Sequence, residues 1–247
     1  MSEFDISLLD NLSKELNIEL SEKQLTQFHM YYELLIEWNE KINLTSITDW
    51  EGVVIKHFID SMSFVKLFSS YEECLEKTSG KSLADIGTGA GFPGLALKIL
   101  LPELNVTLMD SLDKRIKFLN EVISSLKLEK IETIHGRAED LAHNPLYREQ
   151  FDYATARAVA ALPVLCEYCI PFVKKDGFFI AYKSEKSEEE IADSKNAIFL
   201  LSGKLIDNIS FVLPKTDMNR TIISIKKTNN TSKKYPRKAG TPSKKPL

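Results

Sequence analysis

Leu8, Leu9, Leu12 and Leu16 recur at helical spacing, with Ser7 as a candidate cap. S-E-K-Q from Ser21 reads as a capping box. It opens a second helix whose apolar face is Leu25, Phe28, Tyr32, Leu35 and Ile36, running to about Asn39. A third helix is expected from Trp50 to Phe68, capped by Asp49. Beyond residue 80 the period changes. Short apolar runs at S-L-A-D-I (82–86), Val106–Met109, Ile131–Ile134, Phe151–Thr155 and F-F-I-A-Y (178–182) alternate with helix-compatible stretches, one of them Leu162–Val173. K-K-D-G reads as a turn before the fifth of these strands, and the charged E-K-S-E-E-E-I after it as the start of a solvent-facing helix. Two more strands, around Ile206–Leu213 and Thr221–Ile225, are joined by a segment short enough to predict a hairpin. The pattern predicts an α/β fold: a doubly wound, seven-stranded Rossmann-like sheet ending in an antiparallel hairpin, with a small helical N-terminal extension.

Charge refines the boundaries. Residues 1–77 hold 6 basic and 15 acidic residues, residues 78–226 hold 19 and 20, and residues 227–247 hold 7 basic residues and no acid. The division expected is a helical region 1–79, a sheet domain 80–227 and a basic tail 228–247. The tail suits phosphate, or is merely a solvated end. No run of 18 apolar residues occurs, so no membrane span is expected. The N-terminus lacks the pattern of a signal peptide, and three cysteines, an odd number, fit a cytoplasmic protein.

The chemistry centres on D-I-G-T-G-A-G-F-P-G, Asp85 to Gly94, between a strand and a helix. Glycines there allow positive φ and close approach of a ligand. The spacing G-x-G-x-G, with an acid two residues earlier, resembles the S-adenosylmethionine (SAM) loop of doubly wound methyltransferases more than a dinucleotide loop. Gly87, Thr88, Gly89, Gly91 and Phe92 are therefore cofactor candidates, with Asp85 as acceptor for the SAM ammonium. Asp110 and Ser111 end the next strand, 25 residues beyond Asp85, where such folds offer an acid to a ribose diol. Ala138 and Glu139 follow the third strand, where adenine passes; Glu139 could equally cap the next helix.

The fourth strand ends at Arg157, among small apolar residues. An arginine there is costly to bury unpaired, so it is either a site residue or bridged to Asp152 or Glu139. The [D/N/S]-P-P-[Y/F] element of enzymes acting on exocyclic amines is absent. Cys166 and Cys169 fall inside an apolar helix and read as core, which excludes a covalent cysteine mechanism. His57 and Asp60 share a helix face and read as a structural pair; no metal site is expected. Asn43, Thr45 and Ser46 suit either a fixed loop or a ligand contact. Lys114, Arg115 and Lys117 are a solvated face or phosphate contacts.

Together W-N-E-K-I-N-L-T (38–45), H-F-I-D-S (57–61), D-I-G-T-G-A-G-F-P-G-L (85–95), D-S-L-D-K-R-I-K-F-L (110–119), G-R-A-E-D-L (136–141), R-A-V-A (157–160) and Y-P-R-K-A-G-T-P-S-K-K-P-L (235–247) resemble the bacterial 16S ribosomal RNA methyltransferases that modify guanine 527 at N7, the glucose-inhibited division protein B family. One departure is Y-K-S at 182–184, where the family commonly has Y-K-G. The resemblance implies SAM as cofactor and 16S rRNA, or the assembling small subunit, as substrate. Guanine N7 carries a lone pair and no proton, so direct displacement is expected, with Arg157 and, more weakly, Asn43 at the transfer site and Arg157 also beside the cofactor. RNA contacts are expected from Lys114, Arg115, Arg137, Lys183, Lys233, Lys234, Arg237, Lys238, Lys244 and Lys245. Loss of residues 229–247 is expected to weaken RNA binding and spare SAM. A monomer is expected. The competing readings are a SAM enzyme with another substrate, an NAD-dependent oxidoreductase and a non-catalytic RNA adaptor.

Overall fold

The computed structural model describes residues 6–184 and 187–247. The first helix, α1 (Ile6–Glu15), includes Ser7. The capping box of α2 (Glu22–Ile42) forms as its sequence dictates: Gln24 N–H donates to Ser21 Oγ, and Ser21 N–H to Gln24 Oε1. The helix outlasts the expected stop at Asn39 and ends where Asn43 takes a left-handed φ of 50° and donates its N–H to Asn39 O.

The third helical stretch is continuous but not uniform. It passes from α3 (Trp50–Val53) through a π-helical segment, Val54–Ile59, to α4 (Asp60–Met62) and a 3-10 turn, Ser63–Leu67. Asp49 caps it through Gly52 N–H, as predicted. A final helix, α5 (Tyr71–Thr78), precedes the sheet.

The sheet alternates with helices in the order β1 (Ser82–Ile86), α6 (Gly94–Leu100), β2 (Asn105–Asp110), α7 (Asp113–Ser125), β3 (Ile131–His135), α8 (Ala138–Leu141), β4 (Phe151–Arg157), α9 (Leu162–Cys169), β5 (Val173–Lys183), α10 (Ser187–Asp193), α11 (Lys195–Leu200), β6 (Gly203–Val212) and β7 (Asn219–Lys227), with α12 (Thr241–Lys244) in the tail. The strand order is β3-β2-β1-β4-β5-β7-β6. The first five strands are parallel, and β7 runs antiparallel to both β5 and β6. The predicted seven strands and closing hairpin are present.

Three local differences have simple causes. The helix expected to reach Val173 gives way after Cys169 to a 3-10 turn, Ile170–Phe172, because Pro171 cannot continue an α-helical ladder. K-K-D-G is not a turn before the fifth strand. It is an interruption inside β5, whose pairing jumps from Phe151–Val173 to Tyr153–Phe178. The charged helix α10 begins at Ser187; Glu185 and Lys186 lie outside the described residues.

Each sheet face has its own apolar cluster. One joins β1 and β2 to α6, α7 and the N-terminal helices, with Phe28, Tyr31, Phe58, Phe92 and Phe118 at its centre. The other places α9, with Cys166 and Cys169, beneath Phe172, Phe179 and Tyr235 of the C-terminal segment. Polar side chains of α2 seal the N-terminal helices to the sheet domain. Gln24 Nε2 donates to the carbonyls of Ile99 and Leu100, and Gln27 Nε2 to that of Leu126. These amides satisfy the open C-terminal carbonyls of α6 and α7.

Candidate active site

The glycine loop leaves the carboxyl end of β1 and is tied down on both sides. Beneath it, Asp85 is fully buried; its Oδ2 accepts from Thr88 Oγ1 at 2.6 Å and Gly94 N–H at 2.8 Å. Burial raises this carboxyl to about 6 despite the two donors. Asp85 is thus a strut under the loop through Oδ2, while its buried Oδ1 has no hydrogen-bond partner among the described residues and leaves room for the acceptor role expected toward the SAM ammonium, directly or through water. Above the loop, Tyr31 donates its hydroxyl to Ala90 O, and its ring stacks on Phe92. Gly91, at φ +99°, has no room for a side chain: a Cβ would stand 2.6 Å from Tyr31 Oη. Gly89, at φ +61°, differs. A Cβ there meets nothing nearer than Gly87 O at 4.0 Å, so it would project into open groove. That is the cradle expected of a bound ligand.

Asp110 faces the loop from β2. Its carboxylate accepts from Gly89 N–H at 2.9 Å, Leu112 N–H at 2.9 Å and Arg115 Nη1 at 3.2 Å. A carboxylate has about four acceptor positions, so a place for a ribose hydroxyl remains. Arg115, expected at RNA, pairs with Asp110 through Nη1 and lines the groove, its side chain still about a third exposed (32%).

The groove has two halves. One, of about 380 Å³, is lined by Gly87, Asp110, Ser111, Arg137, Ala138 and Glu139 among others. The other, of about 400 Å³, is lined by Leu44, Thr45, Thr88, Gly89, Phe92, Arg115 and Arg157 among others. Gly87, Asp110, Ser111 and Val159 border both, and a Cβ on Gly87 would stand 2.9 Å from Val159 Cγ2. The halves match an adenosine end and a methionine end. Glu139 does line the adenosine half, but its Oε1 accepts Gly240 N–H from the tail at 2.9 Å. That bond takes one of the acceptor positions of the carboxylate.

Arg157 lies where β4 ends, and neither expected partner holds it. Asp152 accepts from Ser82 and pairs with Lys81 and Lys174, and Glu139 faces the tail. The partner is Asp60: Arg157 Nη1 meets Asp60 Oδ2 at 2.7 Å, and Arg220 Nε stands 3.2 Å from Asp60 Oδ1. Arg157 also donates to Lys56 O in the π-helical segment, and its guanidinium lies over the Phe92 ring. His57 stacks on the same ring at 4.6 Å, with Nε2 2.9 Å from Thr45 Oγ1 and Nδ1 3.2 Å from Arg157 Nη2. Burial first, then the Arg157 charge, lower the imidazole to about 3, so it is neutral at physiological pH. His57 and Asp60 are therefore a structural pair only through Arg157.

Beside this cluster is a third cavity of about 360 Å³, lined by Lys56, His57, Asp60, Arg157, Tyr182, Lys183 and Arg220 among others. It shares His57, Arg157 and Ala158 with the methionine half of the groove. Ala158 holds a left-handed φ of 57°, unusual for a residue with a Cβ, at this junction.

The remaining candidates divide by exposure. Lys114, Arg137, Lys233, Lys234, Lys238, Lys244 and Lys245 are exposed. Lys183 is not free: it pairs with Glu190 at 2.6 Å and donates to Ala160 O. Arg237 is bound to the buried Glu167. Asn43 is an exposed cap of α2 and borders none of the three cavities. Its neighbour Thr45 does, fixed by Asn39, whose Oδ1 accepts from Leu44 and Thr45 N–H. The sequence left Thr45 open between a fixed loop and a ligand contact, and the structure places it in a fixed loop beside the groove; Arg220 beside Asp60 was missed. The H-F-I-D-S block was the available signal for Asp60, and Arg220 carried none. Among the described residues no group of three or more His, Cys, Asp or Glu is placed to hold a metal ion.

The sheet order, the closing hairpin and a glycine cradle facing a β2 acid define a SAM-dependent methyltransferase. Comparison with known proteins narrows this. Residues 24–222 match the GidB family, rRNA small subunit methyltransferase G, and the chain belongs to that family. It is 52% identical to ribosomal RNA small subunit methyltransferase G of Desulfitobacterium hafniense (strain Y51), over 97% of either chain. It is 51% identical to the protein of that name from Lachnoclostridium phytofermentans, over 95% of this chain and 94% of the other. Among solved structures, the [4+2]-cyclase SpnF aligns with a TM-score of 0.56 at 12% identity, over 85% of this chain and 97% of its own. TrmN from Thermus thermophilus aligns with a TM-score of 0.51 at 16% identity, over 69% and 48%. At those identities the likeness is one of fold.

Proposed function

We infer that the protein methylates 16S ribosomal RNA with SAM, and that the acceptor is N7 of guanine 527. The observation that carries this reading is the meeting of the cofactor groove with a separate polar cavity at Arg157, His57 and Ala158. Bound SAM supplies a methyl group on a cationic sulfur. The chain supplies position and charge balance. Guanine N7 offers a lone pair and carries no proton, so nothing has to remove one before transfer. The residues at the junction suit that requirement: His57 is neutral, and Asp60 is committed to two arginines. With its charge offset by Asp60, Arg157 is able to donate to guanine O6 or a nearby phosphate without opposing the charge that grows on the purine. Alignment of the two reactants then carries much of the rate.

Exposed Lys114, Arg137, Lys233, Lys234, Lys238, Lys244 and Lys245 suit the RNA backbone. Lys183 and Arg237 serve the fold instead, and Arg115 pairs with Asp110. We place the enzyme in the cytoplasm as a monomer; no described helix is long and apolar enough to cross a membrane. The test is mass mapping of fragments from small-subunit RNA incubated with isotopically labelled SAM. Label at N7 of guanine 527 is expected. Label at another base would overturn the site, and label in no RNA would overturn the substrate.

A further inference from the structure

The tail, residues 228–247, holds six basic residues and no acid, yet its first half is anchored as core is anchored. Arg148 donates to the carbonyls of Thr231, Ser232 and Tyr235, and His143 Nε2 meets Pro236 O at 2.8 Å. Tyr235 is 5% exposed. Arg237 Nε and Nη2 grip both oxygens of Glu167 with three bonds, Glu167 being fully buried, and Arg237 N–H adds a fourth at 2.6 Å. A buried carboxylate without its cation is strongly disfavoured, so Glu167 requires this segment in place.

Past the anchor, the chain turns toward the cofactor groove. Gly240, at φ +79°, donates its N–H to Glu139 Oε1, and Ser243 Oγ lies 2.7 Å from the Tyr168 hydroxyl. Gly240, Ser243 and Tyr168 line the adenosine half of the groove together with Ala138 and Glu139. We propose that residues 240–243 form the outer wall of the adenosine site, making the C-terminal segment a cofactor-binding element. The wall is built from the same chain whose lysines 238, 244 and 245 face solvent. RNA phosphates that gather on those lysines hold the wall in its docked position. By reciprocity of binding, RNA and SAM then each raise affinity for the other. This revises the expectation that loss of the tail spares SAM.

The inference rests on the reading of this groove as the SAM site, and the experiment separates the two. Dissociation constants are measured by titration calorimetry for SAM, S-adenosylhomocysteine and 5′-methylthioadenosine, using the full chain, a chain ending at Ala239, and Gly240→Pro. Both variants keep Tyr235 and Arg237. Proline lacks the N–H that reaches Glu139 and cannot adopt φ +79°. Thermal melting reports the fold, and if the truncated chain unfolds, Gly240→Pro carries the test. Affinity for all three ligands is expected to fall tenfold or more, by a common factor, because all three share the adenosine. Unchanged affinity in a folded variant overturns the wall. So does a loss confined to SAM and S-adenosylhomocysteine, which would place the effect at the methionine end. Failure of the full chain to bind any of the three overturns the groove itself.

Discussion

Arg157 and Asp60 lie 97 residues apart in sequence and meet at 2.7 Å, with side chains only 11% and 6% exposed. The pair joins the N-terminal helical region to the end of β4, where the glycine-loop groove and the neighbouring polar cavity touch. Removing one partner of a buried ion pair leaves an uncompensated charge and costs about 3–5 kcal/mol. Asp60→Ala strands two guanidinium groups and is expected to lose about that much in chemical denaturation. Arg157→Ala leaves Arg220 to hold Asp60 and is expected to lose less. Its deficit is in chemistry: a single-turnover rate at least tenfold lower, with SAM affinity nearly unchanged. A normal rate in folded Arg157→Ala removes that arginine from the transfer site.

The two loop glycines separate binding from folding. Gly89→Ala places its Cβ in open groove, so its expected effect is a large loss of SAM affinity. Its fold cost is limited to the left-handed backbone, about 1–2 kcal/mol. Gly91→Ala drives a Cβ into Tyr31 Oη and Leu95 Cβ and is expected to cost more stability than Gly89→Ala. Calorimetric SAM binding and thermal melting of both variants check the contrast; equal effects on both readouts contradict it.

The sheet, the loop and the hairpin were legible because each rests on local pattern: strand-length apolar runs, glycine spacing and a short connection. Arg157 was legible as an anomaly, a charge among alanines, but its partner was not. Asp152 and Glu139 were near in sequence, whereas Asp60 comes from a helix whose π-helical turn aims the Lys56 carbonyl and the Asp60 carboxylate at the same guanidinium. No periodicity reports such a convergence. The tail failed for a related reason. Its composition looks like a solvated arm, and only the buried Glu167, 70 residues earlier, shows why Arg237 is part of the core.

Tail cations therefore divide into two kinds. Replacing Lys233, Lys238 and Lys245 by Gln is expected to raise the KM for RNA and to reduce the slope of log affinity against log salt by roughly 2, at about 0.7 per phosphate contact on a single strand. Melting temperature is expected to be unaffected. Arg237→Ala is expected to reverse the pattern, lowering the melting temperature with little change in slope. A triple lysine variant with an unaltered salt slope removes these residues from the RNA contact.

Cys166 and Cys169 are fully buried, and burial pushes both thiols far above their ordinary range. Replacing both by Ala is expected to lower stability through the cavities left behind while single-turnover methyl transfer persists. Complete loss of transfer in a well-folded variant contradicts the non-covalent route.

His57 makes stability depend on pH. Its folded pKa is about 3 against 6.5 for an unperturbed histidine, because burial and Arg157 both oppose the imidazolium. Above pH 6.5 the ring is neutral in both states and contributes no pH dependence. Between 6.5 and about 3 the unfolded chain takes up a proton that the folded chain refuses, so stability falls as pH falls. Asp85 acts in the opposite sense. Its raised carboxyl, about 6 when folded against an ordinary 3.8, binds its proton more readily in the folded state and adds stability as pH falls through that window. A comparison of wild type with His57→Gln cancels the Asp85 contribution. Between pH 7.5 and 5, wild type is expected to lose on the order of 1–2 kcal/mol more than His57→Gln in urea denaturation. Parallel losses in the two proteins would show that His57 accepts its proton as readily when folded. The neutral ring against Phe92 and Arg157 would then no longer describe the transfer site at working pH.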